Sequence, residues 1–458
     1  MKLRSLFRGG AVGALLIPLS ACGGNEEKKQ PATCTPGLTT ECTAGKVCEA
    51  VSGGQPACFD PIKVEGKVFD TVTNKGIAGA TVVARDANGA AVSGVATTDA
   101  NGAYSLTVPV TRDAQGNPVV SSATYTLRAD AAGYITFPQP PREALPVDMS
   151  MPAMGVVKNS ATDIGLIPSG TPAASSGAIS GKVLGDKPGG TLIVAGGSTA
   201  VADKDGNYTL FNVAPGTVTV TAYKQGVNYA TTTATVTAGK TTTGIDFNVT
   251  GVGGSTVSGS VNIVNPGNGS VTSVILVVED TAKIEPLPSN AARGEMPPGL
   301  RAYPVSNAWS IPGVPDGKYV VLAAFENDFL VRDPDTSIGG TEVVHITVPG
   351  APSIAFKVTG SLDHPSPDNS QFASAPLTFS WDDDSSEKSY KVQLFDALGN
   401  EIWNKNIPGV SGSTQASAAY DGAALIPGNL YQFRATSLSG AGVAISRTED
   451  LRGVFLFQ

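Results

Sequence analysis

The run ADKDGNYTLFNVAPGTVTV, residues 202–220, decides how the whole chain is read. Asp203 and Asp205 stand beside Gly206 at the spacing of a calcium loop, but the same residues suit a tight turn between two strands. The residues after the glycine favour the turn, because Tyr208 and Leu210 alternate with Asn207 and Thr209 at strand period. An EF-hand loop needs a third ligand before the glycine and a Glu about six residues after it. Phe211 and Asn212 stand there instead. Another run, DANGAY at 99–104, carries the same glycine between Asn and Ala, so the turn does not need two carboxylates. Both runs are predicted to be hairpin connections.

Around these turns the chain repeats. VEGKVFDTVTNKGIAGATVVARD opens a unit at Val64, with DANGAYSLTV coming next at Asp99. AISGKVLGDKPGGTLIVAGG opens a second at Ala178, and VSGSVNIVNPG a third at Val257, whose later part is NAWSIPGVPDGKYVVLAAF. Period-two alternation is read in TLIVAG, TVTVTAY, ATTTATVTAG and YKVQLFD, and no window of a dozen residues carries a helical period. Charged residues make up only 15% of a chain with 54 Gly and 32 Pro, a composition of short strands and turns. The fold class is therefore all-β, as tandem antiparallel sandwiches.

The order G-x-V strand, ATVVA-type strand, then D-x-x-G-x-Y-x-L resembles the carboxypeptidase regulatory-like domain. That resemblance implies a transthyretin-like sandwich, often appended to enzymes and receptors and sometimes classed with carbohydrate-binding-like folds. Two units fit over 62–168 and 177–250. The third, 255–360, departs: Trp309 stands where Tyr is expected, and the insertion 280–305 separates its early strands. The last segment, 366–458, resembles a fibronectin type III domain. Leu377, Phe379 and Trp381 alternate on one strand, and Tyr390, Val392 and Leu394 on the next. Leu425, Pro427, Gly428, Tyr431, Phe433 and Ala435 fit a tyrosine corner, whose hydroxyl is expected to bond nearby backbone. The stretches 137–155, 169–178, 249–257 and 358–371 read as Pro- or Ser/Gly-rich linkers, giving beads on a semi-flexible string.

At the N-terminus, Lys2, Arg4 and Arg8 precede a short apolar core that is too short to span a bilayer. LSAC, residues 19–22, then resembles a bacterial lipobox. This implies a signal peptide over 1–21, acylation of Cys22, a tether over 22–33, and attachment to the outer membrane by lipid. Cys34, Cys42, Cys48 and Cys58 crowd into 34–60, which reads as a two-disulfide segment with three possible pairings. A four-cysteine zinc site is the rival, but the paired C-x2-C knuckles are missing.

Candidates for chemistry are few. His345 and His364 are the two histidines, and neither has a second ligand at metal spacing. No nucleophile elbow, phosphate loop or dinucleotide fingerprint occurs, so no catalytic residue, metal or cofactor is assigned. The acids of 382–387 and the group Glu326, Asp328, Asp333 and Asp335 are read as solvated loops, with a glycosidase on the first and calcium on the second as rivals. Clustered basic residues are lacking, which sets nucleic acid aside. Trp403, Tyr223, Tyr229 and Tyr303 are the aromatics left for sugar stacking. The expected function is an envelope stalk that binds carbohydrate or another envelope polymer, with a scaffold for an envelope protein as the alternative.

Overall fold

The computed structural model describes residues 34–36, 41–43, 45–86, 91–119, 124–139, 142, 144–150, 152–170, 172–264, 271–284, 292–326, 333–334, 337–338, 341–342, 344–384, 386–410, 412–449 and 452–458. Cys22 and the expected signal segment lie outside the described residues, as do Asp328 and Asp335. The described chain is all-β, and its β-sandwiches follow one another along the sequence.

The N-terminal segment is a hairpin of Val47–Glu49 and Ala57–Phe59, stapled by Cys34–Cys48 and Cys42–Cys58. With both pairs oxidised, these cysteines are not thiolate ligands for zinc. The segment docks on the first sandwich through Glu49, whose carboxylate meets Arg112 and the Val110 N–H in a buried contact. The Arg112 guanidinium also lies over the Phe59 ring, 5.0 Å from its centroid. Closing loops with separations of 14 and 16 residues contributes about 3 kcal/mol each by chain entropy. Reduction is therefore expected to open the segment to trypsin after Lys46, while the oxidised form resists. Equal cleavage with and without reductant would contradict the staple.

The first sandwich places Ile62–Asp70 between Ala103–Val108 and the parallel strand Ile164–Leu166, with Thr81–Arg85 and Thr124–Asp130 in the facing sheet. The second repeats this plan with Gly177–Lys182 between Asn207–Val213 and Thr241–Thr242. The third does so with Ser255–Val264 between Ala308–Val314 and Ile354–Thr359. In each, the opening strand thus has a parallel partner in an otherwise mostly antiparallel fold. The repeated glycine has one task throughout: Gly66, Gly181 and Gly259 pair with Tyr104, Tyr208 and Trp309. A Cβ on these glycines would sit 2.0, 1.9 and 1.8 Å from the carbonyl oxygens of Thr162, Ile245 and Ile354. The same Thr162 and Ile245 carbonyls accept the Tyr104 and Tyr208 hydroxyls, each at 2.6 Å. Trp309 is buried in the same register position, so the third unit keeps the device with a different ring.

The fourth sandwich buries Leu377, Phe379, Trp381, Tyr390, Val392, Leu394, Leu425, Tyr431, Phe433 and Ala435 in one core. The Ile426 N–H donates to the Tyr431 hydroxyl at 2.9 Å, which closes the corner.

The expected linkers are mostly not linkers. Val147 and Met149 are fully buried in the first core, and Val147–Asp148 pairs with Thr124–Asp130. Val249–Val252 pairs with Val227–Tyr229, and Leu362 enters the fourth core. Pro and Gly here mark short edge strands, whose backbone is still paired. TLIVAG also departs from the alternation read in it. All four residues of Leu192–Ala195 are buried, with Ile193 and Ala195 in the second core and Leu192 and Val194 in the core of the third unit.

Candidate binding cleft

In the D-x-x-G turns the leading aspartate is engaged by the turn's own backbone. Asp203 Oδ1 accepts the N–H groups of Asp205 and Asn207 at 2.9 and 2.8 Å, and Gly206 takes φ +87°. Asp99, Asp113 and Asp396 make the same pair of bonds to the residues two and four positions on. A carboxylate already holding two backbone donors closes a turn.

A related turn sets a pH dependence. Asp70 accepts the Thr73 and Val72 N–H groups and the Tyr134 hydroxyl, and these bonds, the Thr73 amide foremost, hold its carboxyl below the ordinary 3.8. Its folded value lies below its unfolded one. Its contribution is thus present above about pH 3.8 and lost as pH falls through the depressed value. In a carbon-detected NMR titration the Asp70 carboxyl should titrate below an exposed aspartate, and Asp70→Asn should flatten stability over that window.

The acids of 382–387 are occupied within the fourth sandwich. Asp382 meets His364 Nδ1 at 2.7 Å, Asp383 accepts the Tyr390 hydroxyl, and Asp384 accepts Ser437. That hydrogen bond to Asp382 raises the His364 pKa. Glu387 Oε1 accepts the Val410 N–H. These side chains hold a loop. His345 pairs with Glu279 at 2.8 Å. Of the group around 326–335, the backbone of Glu326 closes strand Gly317–Glu326, and that of Asp333–Pro334 forms an edge strand on it.

The four aromatics divide. Trp403 packs on Phe379 and Tyr420 and donates to Asp421, so it serves the fourth sandwich. Tyr303 is 41% exposed under the Arg301 guanidinium. Tyr223 and Tyr229 come together in a cleft of 440 Å³ between the second and third sandwiches. Tyr223 is buried at its floor, edge-on to Tyr319 at 5.9 Å, so it is a junction residue and not an exposed platform. Burial pushes its phenol pKa up, and the Asp280 charge adds to the rise. Tyr229 is half-buried, edge-on to Phe247 and 3.4 Å from the Thr191 hydroxyl. Asn228, Thr250, Asp280, Asp316 and Lys318, which no sequence motif singles out, are among the other lining residues.

Hydrogen bonds across the junction hold the two walls. The Asp316 N–H donates to Asn228 Oδ1 at 2.9 Å, Gly226 N–H to the Gly313 carbonyl at 2.6 Å, and Gln225 Nε2 to the Pro312 carbonyl at 2.9 Å. Nearby, Arg128 of the first sandwich binds Asp130, Glu295 of the third, and the Thr199 carbonyl of the second. Burial lowers the pKa of this guanidinium, but the two carboxylates more than offset that and raise it. Asn212, at φ +61°, reaches from the second sandwich to Ala131, Gly133 and Tyr134. The described part of the 280–305 insertion around 295 packs back as well: Glu295 joins Arg128, and Met296 packs on Ile275, Val277, Val320 and Leu322.

The family model for polysaccharide lyase family 4, domain II, a fibronectin-like module, matches residues 197–244, which include Tyr223 and Tyr229. No curated protein matches the chain. Among solved structures, the Bacillus anthracis TIE protein aligns at 10% identity over 86% of this chain and 72% of its own, with a TM-score of 0.14. The Bacillus cereus major pilin subunit BcpA aligns at 10% identity over 65% and 98%, with a TM-score of 0.15. A DUF3823 family protein from Bacteroides uniformis aligns at 12% identity over 45% and 100%, with a TM-score of 0.20. At TM-scores this low the likeness carries no argument about function.

Proposed function

We propose that this chain is a non-catalytic cell-envelope lipoprotein, anchored at the outer membrane through acylated Cys22, whose sandwiches form a stalk that binds carbohydrate. The observation that carries the reading is the junction cleft. Two sandwiches share a core and leave between them a recess lined by Tyr229 and several hydroxyl, amide and charged groups, a polar concavity suited to a hydroxyl-rich ligand. The family model on its second-sandwich wall takes its name from a polysaccharide-acting family, which supports the same class of ligand. Asp382, Asp383 and both histidines are engaged in side-chain contacts within the sandwiches, which supports binding without turnover.

The test is co-sedimentation of the purified protein with sacculi and, separately, with surface polysaccharide. Saturable pelleting is expected. Its absence with both would point to a protein partner or a plain stalk. Cys22→Ser should move the protein from the detergent phase to the aqueous phase on Triton X-114 partition, and an unchanged partition would refute the anchor.

A further inference from the structure

The lining of the junction cleft narrows the ligand. Tyr229 offers one wall, Thr250 a hydroxyl oxygen that can accept while its proton is held by the Asn228 carbonyl, Asp280 and Asp316 carboxylates, and Lys318 an ammonium. Thr250, Asp280, Asp316 and Lys318 are exposed, so a ligand reaches them without the sandwiches moving apart. A sugar ring has an apolar C–H face for an aromatic wall, and hydroxyls that donate to carboxylate and hydroxyl oxygens and accept from an ammonium. Charge selects among sugars. Two carboxylates and one ammonium line the cleft, and the chain as a whole carries -8, so a polyanion meets repulsion in the cleft and on approach.

We propose that this cleft is the subsite for a short stretch of a neutral glycan, with Tyr229 as the stacking wall and Asp316 and Lys318 as hydrogen-bonding groups. The proposal rests on the carbohydrate reading and adds the place and the charge class. Junction contacts place the two walls: the Asp316 backbone N–H donates to Asn228, and the Tyr229 ring packs edge-on to Phe247. The two walls come from different sandwiches, so an isolated second or third sandwich would lack half the site.

The experiment uses the full-length protein on a printed array of neutral, N-acetylated, uronate and sulfated oligosaccharides, followed by calorimetric titration of the strongest signal. Binding to a neutral or N-acetylated glycan is expected. Asp316→Ala and Lys318→Ala, at exposed positions whose folding contacts are backbone ones, should each weaken it about tenfold, the scale of one lost hydrogen bond to a charged group. Tyr229→Ala should weaken it as much or more, and Tyr303→Ala should leave it unchanged. A neutral glycan bound equally by wild type, Asp316→Ala and Lys318→Ala would overturn the cleft assignment and leave the carbohydrate reading standing. Binding confined to uronates or sulfates would overturn the neutral class. No binding to any glycan would overturn both the subsite and the carbohydrate reading.

Discussion

Gly181→Ala is expected to unfold the second sandwich, because the new methyl carbon would lie 1.9 Å from the Ile245 carbonyl oxygen and 2.5 Å from its carbon. Both are backbone atoms of the segment that runs alongside the opening strand, so neither can rotate aside. The Tyr208 hydroxyl donates to the same carbonyl at 2.6 Å, and moving the segment away would break that bond too. Overpacking a core by side chains alone costs about 1–3 kcal/mol, and a clash with backbone belongs at or above the top of that range. Gly251→Ala is the control, since a Cβ there meets nothing within 4 Å. Urea unfolding followed by limited proteolysis should show the second sandwich lost first in Gly181→Ala and wild-type behaviour in Gly251→Ala. An unchanged midpoint for Gly181→Ala would show that the opening strand and the Ile245 segment do not approach as described. Gly66 and Gly259 predict the same for the first and third sandwiches.

The second large effect lies at Arg128. Its side chain is 2% exposed, and Asp130 and Glu295 are 12% and 26% exposed. Removing the guanidinium leaves two carboxylates poorly hydrated and beside one another. Breaking a buried pair by deleting one partner costs about 3–5 kcal/mol, mostly from the charge left behind. Arg128→Met keeps much of the volume and isolates that term. Arg128→Lys is not a conservative repair, because one ammonium cannot hold Asp130 at both oxygens while reaching Glu295 and Thr199. Three sandwiches meet at this residue, so the expected signature is a loss of melting temperature together with a larger radius of gyration in small-angle scattering. Lower stability at an unchanged radius would confine Arg128 to the first sandwich. Replacing Asp130 and Glu295 by their amides in the Arg128→Met background should recover part of the stability.

Much of the single-sandwich design is legible in the residues themselves. The D-x-x-G turns can be read because one Asp oxygen bonds the N–H groups two and four positions on, an interaction wholly local to five residues. The core of the fourth sandwich can be read because Phe379, Trp381, Val392 and Leu394 alternate along their strands. The junction was open to a closer reading than alternation. LIVA at 192–195 and SVILVV at 273–278 are almost uninterrupted apolar runs, the mark of strands buried on both faces, and both lie against the third unit's core.

What the sequence determined by itself is therefore what short-range chemistry enforces: strand period, turn closure, the recurring glycine and aromatic, and the restriction of four cysteines to one short segment. Tertiary structure alone decided which cysteines pair and why Arg128 is where it is. It also decided that Tyr229, Asp280, Asp316 and Lys318 share one recess. The physical reason is sequence separation. Arg128 and Glu295 are 167 residues apart, and neither carries any local sign of its partner. A polar side chain looks the same in sequence whether it faces water or a neighbouring sandwich; only packing of one sheet face on another distinguishes the two.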